Sequence, residues 1–474
     1  MKKILIIIIV HIMSFTSAFA YKYAVEDKFL QADFWLVNTK NIQKVILTSA
    51  DIAKFNQENL AKIPQLADLQ VFFENVSEGD VKELITNYKI PQNPRYLGEI
   101  EASDGYYQKL ADNTNLANIN KANFALGFTT RKTNMRSFPS HNSLYETPND
   151  IEFDMSQETA VYSATPVVIL HKSKDGNFIF VRTSNYAGWI DAQDIVYADK
   201  DSWESYIKAE DFIVITANKL MLSFNPYDSN TSQMVFYMGQ KLPIIKNKPD
   251  FVDNQSTAGN FVAKIPIENS SGQLEFKLIL IPYSEDVNVG YLPYTKENII
   301  KQAFKMQGNR YDWGGHLGER DCSSFIQDIF NTFGINIPRN TGEMANMAGV
   351  IIASPAEDFR QPTRAELANS IGRIAVLEGM NEDNRNKILQ KTELGTLLLM
   401  KGHVFMYLGY VGGQHYVISD IASVGGDNEV VNDKGEKGLE RIAVNQVSVN
   451  TLDTVKPTGI SFLNSLYKTI FVGR

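Results

Sequence analysis

The chain has 474 residues and a single cysteine, Cys322. No intramolecular disulfide can form, so buried apolar surface must hold the fold without covalent staples. Histidine is also scarce: there are six, so chemistry that needs an imidazole near neutral pH has few candidates. Positive charge is in deficit, with 46 Lys and Arg against 54 Asp and Glu and a formal net charge of −8. Binding a phosphate backbone depends on clustered Lys and Arg, so this balance argues against a nucleic-acid partner. Past the first twenty residues no apolar run is long enough to cross a bilayer. The composition also lacks a disorder signature. Hydrophobic residues are 44% and charged residues 21%, as in globular proteins with real cores. The length implies roughly two to four domains.

The first twenty residues read as a secretory signal. Lys2 and Lys3 form a basic start, Ile4 to Val10 an apolar run, and Ala18-Phe19-Ala20 a small-x-small cleavage site. The apolar run is short for a spanning helix, and His11 and Ser14 interrupt it. The expectation is an exported protein, periplasmic or secreted, with no stable membrane insertion after cleavage. Losing Lys2 and Lys3 and no acidic residue takes the net charge from −8 to −10.

Three textures follow. Residues 21–125 read as mainly helical: Ser49 and Asp51 precede Ile52, Phe55, Leu60 and Ile63, and Ser77-Glu78-Gly79-Asp80 opens a second helix. Residues 126–288 break into short β-branched runs such as Val167-Val168-Ile169-Leu170 and Phe178-Ile179-Phe180-Val181, with turn signals between them. Short strands at regular spacing predict small barrels, divided as 126–200 and 201–288. Residues 289–474 carry helices first and strands later, an α+β plan. The segment 354–395 looks like surface decoration or a lid.

Cys322 lies at the start of a helix whose apolar stripe is Phe325, Ile326, Ile329, Phe330 and Phe333. Backbone N–H groups and the helix dipole favour a thiolate there. A lone cysteine is more often a buried small hydrophobe, so its partners decide. A thiolate needs a base, and His403 begins an apolar strand. A strand-borne histidine opposite a helix-start cysteine is the papain-like arrangement. His415 lies twelve residues on, after Gly412-Gly413, where a hairpin would place it behind His403 to orient the imidazole. The bland alternatives are a strand-end surface histidine for His403 and a loop histidine for His415. A zinc site from Cys322, His403 and His415 is disfavoured by their spacing and by the absence of a second cysteine, and no cofactor is expected.

Tyr311-Asp312-Trp313-Gly314-Gly315, Asp321-Cys322-Ser323-Ser324-Phe325, the run Gly334 to Thr341, and Gly402-His403-Val404 with Tyr407-Leu408-Gly409 resemble the NlpC/P60 cysteine peptidases, collinearly over roughly 290–474. Upstream, Arg131, Asn134, Arg136, Phe153-Asp154, Gln157 and Tyr186-x-Gly188-Trp189 look like the first bacterial SH3-like (SH3b) barrel of the multidomain branch of that family. The second barrel is matched by position and pattern.

The resemblance implies a papain-like catalytic domain behind two SH3-like barrels and a helical segment. It further implies hydrolysis of the γ-D-glutamyl bond to meso-diaminopimelate or L-Lys in peptidoglycan stem peptides, with a preference for a free N-terminal L-Ala. By the same resemblance Cys322 is the nucleophile, His403 the base and His415 the polar third residue. Tyr311 helps to bind the oxyanion, and Asp321, Ser323 and Thr341 occupy substrate-pocket positions. Asp154 and Tyr186 are the candidate barrel contacts. Two alternatives stay open: a wall-binding protein with a vestigial peptidase domain, and an acyltransferase on the same fold.

Overall fold

Thr48 and Asp51 bond reciprocally across the first turn of a helix, as do Ser77 and Asp80 thirty residues later. The second helix therefore begins where the sequence places a capping box, and the first is capped by Thr48, one residue before Ser49. The computed structural model describes residues 25–431 and 435–474, so the secretory-signal reading of residues 1–20 falls outside the described residues. The N-terminal region carries α1 (Ala32–Asn38), α2 (Ser49–Lys62), α3 (Leu69–Asn75), α4 (Glu78–Thr86) and α5 (Asp104–Asn113).

This region is no independent bundle. Phe29, Trp35, Leu47, Phe55 and Ile63 are buried in the core of the C-terminal domain, and Phe29 stacks on Tyr416 with ring centroids 4.3 Å apart. Leu69, Val76, Val81 and Ile85 are buried in the core of the barrels instead. Short amphipathic helices cannot close a core of their own, so they strap the other units together.

The first barrel is a seven-stranded sheet built from β1 (Ala125–Thr129), β2 (Thr133–Arg136), β3 (Gln157–Val161), β4 (Pro166–Lys172), β5 (Phe178–Arg182), β6 (Ala187–Asp191) and β7 (Ile195–Ala198). Its strand order is β3-β2-β6-β5-β4-β1-β7. Phe128, Phe180 and Trp189 are fully buried inside it. Helix α6 (Lys200–Ile207) leads out, held by the Trp203 indole N–H donating to Gly127 O at 3.1 Å. The second β region is less regular. A three-stranded sheet (Phe212–Ile215, Lys241–Pro243, Val287–Val289) is joined by hairpins, the longest pairing Asn260–Glu268 with Leu274–Pro282. Ile213, Ile215, Leu242, Ile265 and Ile279 share one core with the first barrel, which welds the two regions together.

In the C-terminal domain, α7 (Lys296–Phe304) and α8 (Cys322–Asn331) pack on a mixed sheet. Its strands are β8 (Val350–Ala353), β9 (Arg373–Val376), β10 (Leu397–Met400), β11 (His403–Val411), β12 (Gln414–Val431), β13 (Lys437–Thr451) and β14 (Leu466–Phe471), in the order β8-β9-β14-β10-β11-β12-β13. All of α8 from Cys322 to Phe330 is buried. Val404, Met406 and Leu408 of β11 join its side of the sheet, whereas Phe405 and Tyr407 join the core on the opposite face, the period-2 alternation of a strand buried on both sides.

The segment 354–395 corrects the expectation of a lid. It contributes β9, second from the edge between β8 and β14, and Ile374, Ala375, Leu377, Ile388 and Leu389 are buried. A charged surface on Glu382–Leu389 hides an inner apolar face, which a composition reading takes for decoration. Among the described residues no helix is long and apolar enough to cross a membrane.

Candidate active site

Asp321 caps α8. Its carboxylate accepts from Ser324 N at 2.9 Å, while the Ser324 hydroxyl accepts from Asp321 N at 2.9 Å. Cys322 therefore occupies the first turn of a well-capped helix. Its sulfur accepts a hydrogen bond from Val404 N–H, which places the thiol against the start of β11, one residue past His403. The imidazole of His403 is held by β12. Nε2 of His403 lies 3.1 Å from Ser419 Oγ on β12, and its ring packs edge-on against Phe405 at 4.4 Å. Both His403 and Ser419 are buried.

The structure does not bring His415 to His403. The Gly412-Gly413 turn, with both φ positive, pairs Val411 with Gln414 and Tyr410 with His415. His415 thus sits beside Tyr410, seven residues from His403 along β11, or about 23 Å at the strand rise. Its Nδ1 bonds Tyr407 Oη at 2.8 Å. The twelve-residue spacing is a coincidence of a long hairpin. A bulge between Tyr407 and Gly409 shifts the register so that Ser419 lies diagonal to His403 on one face. Counting outward from the glycine pair alone would set His403 opposite Ala422; the bulge moves it opposite Ile421 and so brings Ser419 onto the diagonal.

Burial decides the resting protonation. It pushes the Cys322 thiol up to about 12, helped by the Asp321 carboxylate and opposed by the Val404 N–H. Burial likewise drives the His403 imidazole down to about 3, against the pull of Asp321. The expectation of a resting thiolate is therefore corrected. The helix terminus favours the anion by a modest amount, and desolvation of a fully enclosed sulfur outweighs it. Both shifts favour the uncharged forms, a thiol at Cys322 and a neutral imidazole at His403.

Asp321 does more than cap. Arg339 reaches it with two nitrogens, at 2.7 and 3.1 Å, and also donates to Ser323 Oγ at 2.5 Å and to Thr159 Oγ1 on the first barrel at 2.8 Å. Burial alone would raise the Asp321 carboxyl, but Arg339 and Ser324 hold it below its ordinary value. Tyr311 is half-buried, and its phenol lies close enough to Cys322 and Asp321 that desolvation first, then their charges, raise it well above the usual range. Thr341 begins the short helix Thr341–Met344 and is half-buried.

The two barrel candidates separate. Tyr186 belongs to the site's wall: its hydroxyl donates to Glu158 Oε2 at 2.5 Å and accepts from Asn340 Nδ2 at 3.2 Å. Asp154 does not. It pairs with Arg136 at 3.0 Å and accepts from Leu144 N and Ser156 N, so it is a buried anchor for the 137–156 loop. The acid that faces the site is Glu158, which sequence reading missed. Burial raises its carboxyl. Asp420 was also missed. It follows Ser419, is fully buried, and neither carboxylate oxygen has a hydrogen-bond partner. Burial, then Asp321, push it up to about 9.

The first barrel docks directly on the loop before Cys322. Gln157 Nε2 donates to Gly314 O at 3.1 Å, and Lys132 Nζ to His316 O at 2.9 Å. Tyr162 Oη and Arg320 Nε both donate to Asp328 Oδ2 on α8, at 2.8 and 2.6 Å, and Arg320 continues to Asn218 of the second β region at 2.7 Å. All three units therefore converge on one helix. The described residues hold no group of three or more His, Cys, Asp or Glu side chains placed to share a metal ion.

Residues 308–451 match the NlpC/P60 family, and residues 143–191 match an SH3 domain of the SH3b1 type. The fold is similar to a solved NlpC/P60 endopeptidase from Photobacterium damselae subsp. piscicida at a TM-score of 0.70 and 18% identity, covering 95% of this chain and 97% of that one. An NlpC/P60 family protein from Bacillus cereus ATCC 10987 aligns at a TM-score of 0.44 and 14% identity, covering 74% of this chain and 100% of that one. No curated protein matches the sequence.

Proposed function

From a chain that carries an NlpC/P60 domain behind an SH3b-type domain, we propose a cysteine peptidase that hydrolyses the γ-D-glutamyl bond to the diamino acid of peptidoglycan stem peptides. The observation that carries the reading is the thiol of Cys322 set against the start of β11, with His403 next along the strand and held by Ser419.

Because Nε2 of His403 is engaged by Ser419, Nδ1 is the nitrogen left to serve the thiol. Substrate binding brings the amide carbonyl to Cys322. The thiol proton passes to His403 as sulfur attacks carbon, so charge separates only when the developing oxyanion is there to share it. The Cys322 N–H and the Tyr311 hydroxyl stabilise that oxygen. His403 returns the proton to the leaving amine, then takes one from the water that hydrolyses the thioester. Ser419 holds the ring in place. Asp321, kept ionised by Arg339, is the acid offered to the ammonium of an N-terminal L-Ala, with the Tyr186–Glu158 pair on the barrel side. Ser323, bonded to Asp321 and Arg339, belongs to the same side, and Thr341 is a further candidate contact two residues past Arg339. A wall formed partly by the first barrel favours short free peptides over cross-linked wall. Export to the periplasm belongs to the same reading.

Replacing Cys322 with Ala is expected to abolish release of diaminopimelate from L-Ala-γ-D-Glu-diaminopimelate, followed by mass spectrometry on isolated stem peptides and intact wall. Retained release would end this reading.

A further inference from the structure

The second β region carries the most exposed aromatic surface of the described chain. Phe224 is 70% exposed and Tyr227 63%. Isolated exposed rings need no explanation, but these two flank one recess of about 230 Å³. Its other walls include Asn225, Asp253, Asn254 and Gln255. The recess is small for a drug-sized ligand and suits a single ring.

Its walls are held in place. The Asp253-Asn254 turn has both residues at positive φ, 45° and 60°, and aims their side chains back at the Phe224–Tyr227 loop. Asn225 Nδ2 donates to Asp253 Oδ2 at 2.8 Å, and Asn254 Nδ2 donates to Tyr227 Oη at 3.1 Å. Asn225 Oδ1 accepts from Tyr227 N at 2.9 Å. A tight turn of two left-handed residues carries strain that surrounding contacts must over-determine, and here those contacts hold Tyr227 and the loop that carries Phe224.

The chemistry selects the occupant. Lys277 pairs with Asp253 at 3.0 Å and with Asp228 at 3.8 Å, which leaves one carboxylate charge in excess. What lines the recess is aromatic surface, amide groups and the Asp253 carboxylate, which can accept from a hydroxyl. A polyanion finds no counter-charge there, and the chain's net charge of −8 repels it. A neutral ring with an apolar C–H face and equatorial hydroxyl or acetamido groups matches both surfaces: C–H groups on the rings, hydrogen bonds to the amides.

The geometry points to this recess as a carbohydrate subsite that takes one sugar ring of a neutral N-acetylhexosamine chain. The proposed peptidase reading supplies its setting, a wall built of such chains, but the site and its test stand apart from the catalytic residues. The subsite lies on a region that shares its core with the first barrel. Binding there tethers the enzyme to glycan while the catalytic domain samples nearby peptides, and raises their effective concentration.

The test is calorimetric titration of the full chain with a tetramer of β-linked N-acetylglucosamine, beside hydrolysis of a free stem peptide. Saturable binding is expected. Phe224→Ala and Tyr227→Ala should each weaken it about tenfold, the loss of roughly one ring contact, with peptide hydrolysis unchanged. Phe224→Trp and Tyr227→Phe keep a ring and should retain binding. Wild-type protein that shows no saturable binding overturns the inference. So do alanine variants that bind as the wild type does, or ring-keeping variants that melt normally but lose binding as far as the alanine ones. Binding without peptide hydrolysis would leave the subsite standing and remove the peptidase reading.

Discussion

Ser419→Ala and His415→Ala together test which residue orients the base. Ser419 Oγ is 3.1 Å from His403 Nε2 in a buried setting, so truncation leaves a ring nitrogen unpaired away from water. An unsatisfied buried polar group costs about 1–3 kcal/mol. If that cost falls on the transition state, where the ring must carry a proton in a fixed orientation, kcat drops about 5- to 150-fold with KM little changed. Ser419→Thr keeps a hydroxyl and should retain most of the rate. His415→Ala removes a bond to Tyr407 that lies far from the thiol, so it should cost roughly 1 kcal/mol of stability and leave kcat alone. Steady-state kinetics on a stem peptide and a thermal melt of each variant decide the matter. A His415→Ala enzyme that folds normally but loses a hundredfold in kcat, beside an unimpaired Ser419→Ala, would refute the register argument.

Other outcomes follow from the same site. With its thiol pushed up to about 12 by burial, resting Cys322 should react slowly with iodoacetamide near neutral pH and show no acidic thiolate step in the pH–rate profile; a step below pH 7 contradicts the neutral resting pair. Asp420 rises from 3.8 to about 9 on folding, so the stability it allows is complete below about pH 4 and is lost as pH climbs towards 9. Asp420→Asn removes that loss. The variant should melt like the wild type near pH 4 and gain stability progressively to pH 9, on the order of a few kcal/mol at neutrality; thermal melts with no pH-dependent gain would rule this out. Gly314 has φ of +62°, and a Cβ there would meet Gln157 Cγ at 2.7 Å. Gly314→Ala should therefore loosen the junction between barrel and peptidase, cost about 1–3 kcal/mol and raise KM for short peptides, read by denaturation and kinetics.

Reading these residues in order shows where local chemistry suffices. The capping boxes at Thr48 and Ser77 mark two helices because a cap is a contact between residues three apart. Cys322 is legible as a nucleophile candidate because Asp321 and Ser324 supply a helix start in four residues. The strand beginning at His403 is visible from its apolar run. Less legible was the segment 354–395, whose buried face shows only once β9 is threaded between β8 and β14. Asp154 and Glu158 lie four residues apart, and no local rule tells which turns inward to Arg136 and which faces Tyr186.

The sequence by itself determined the single thiol, its helix start, the strand-borne histidine and the order of helical, barrel and catalytic regions, since these rest on composition and short-range pattern. Only the tertiary structure decided that Ser419 rather than His415 stands behind His403, because one bulge and one glycine turn set the register of a whole hairpin. Only it decided that Cys322 rests as a thiol, because desolvation depends on everything that encloses the sulfur and on nothing adjacent in the chain.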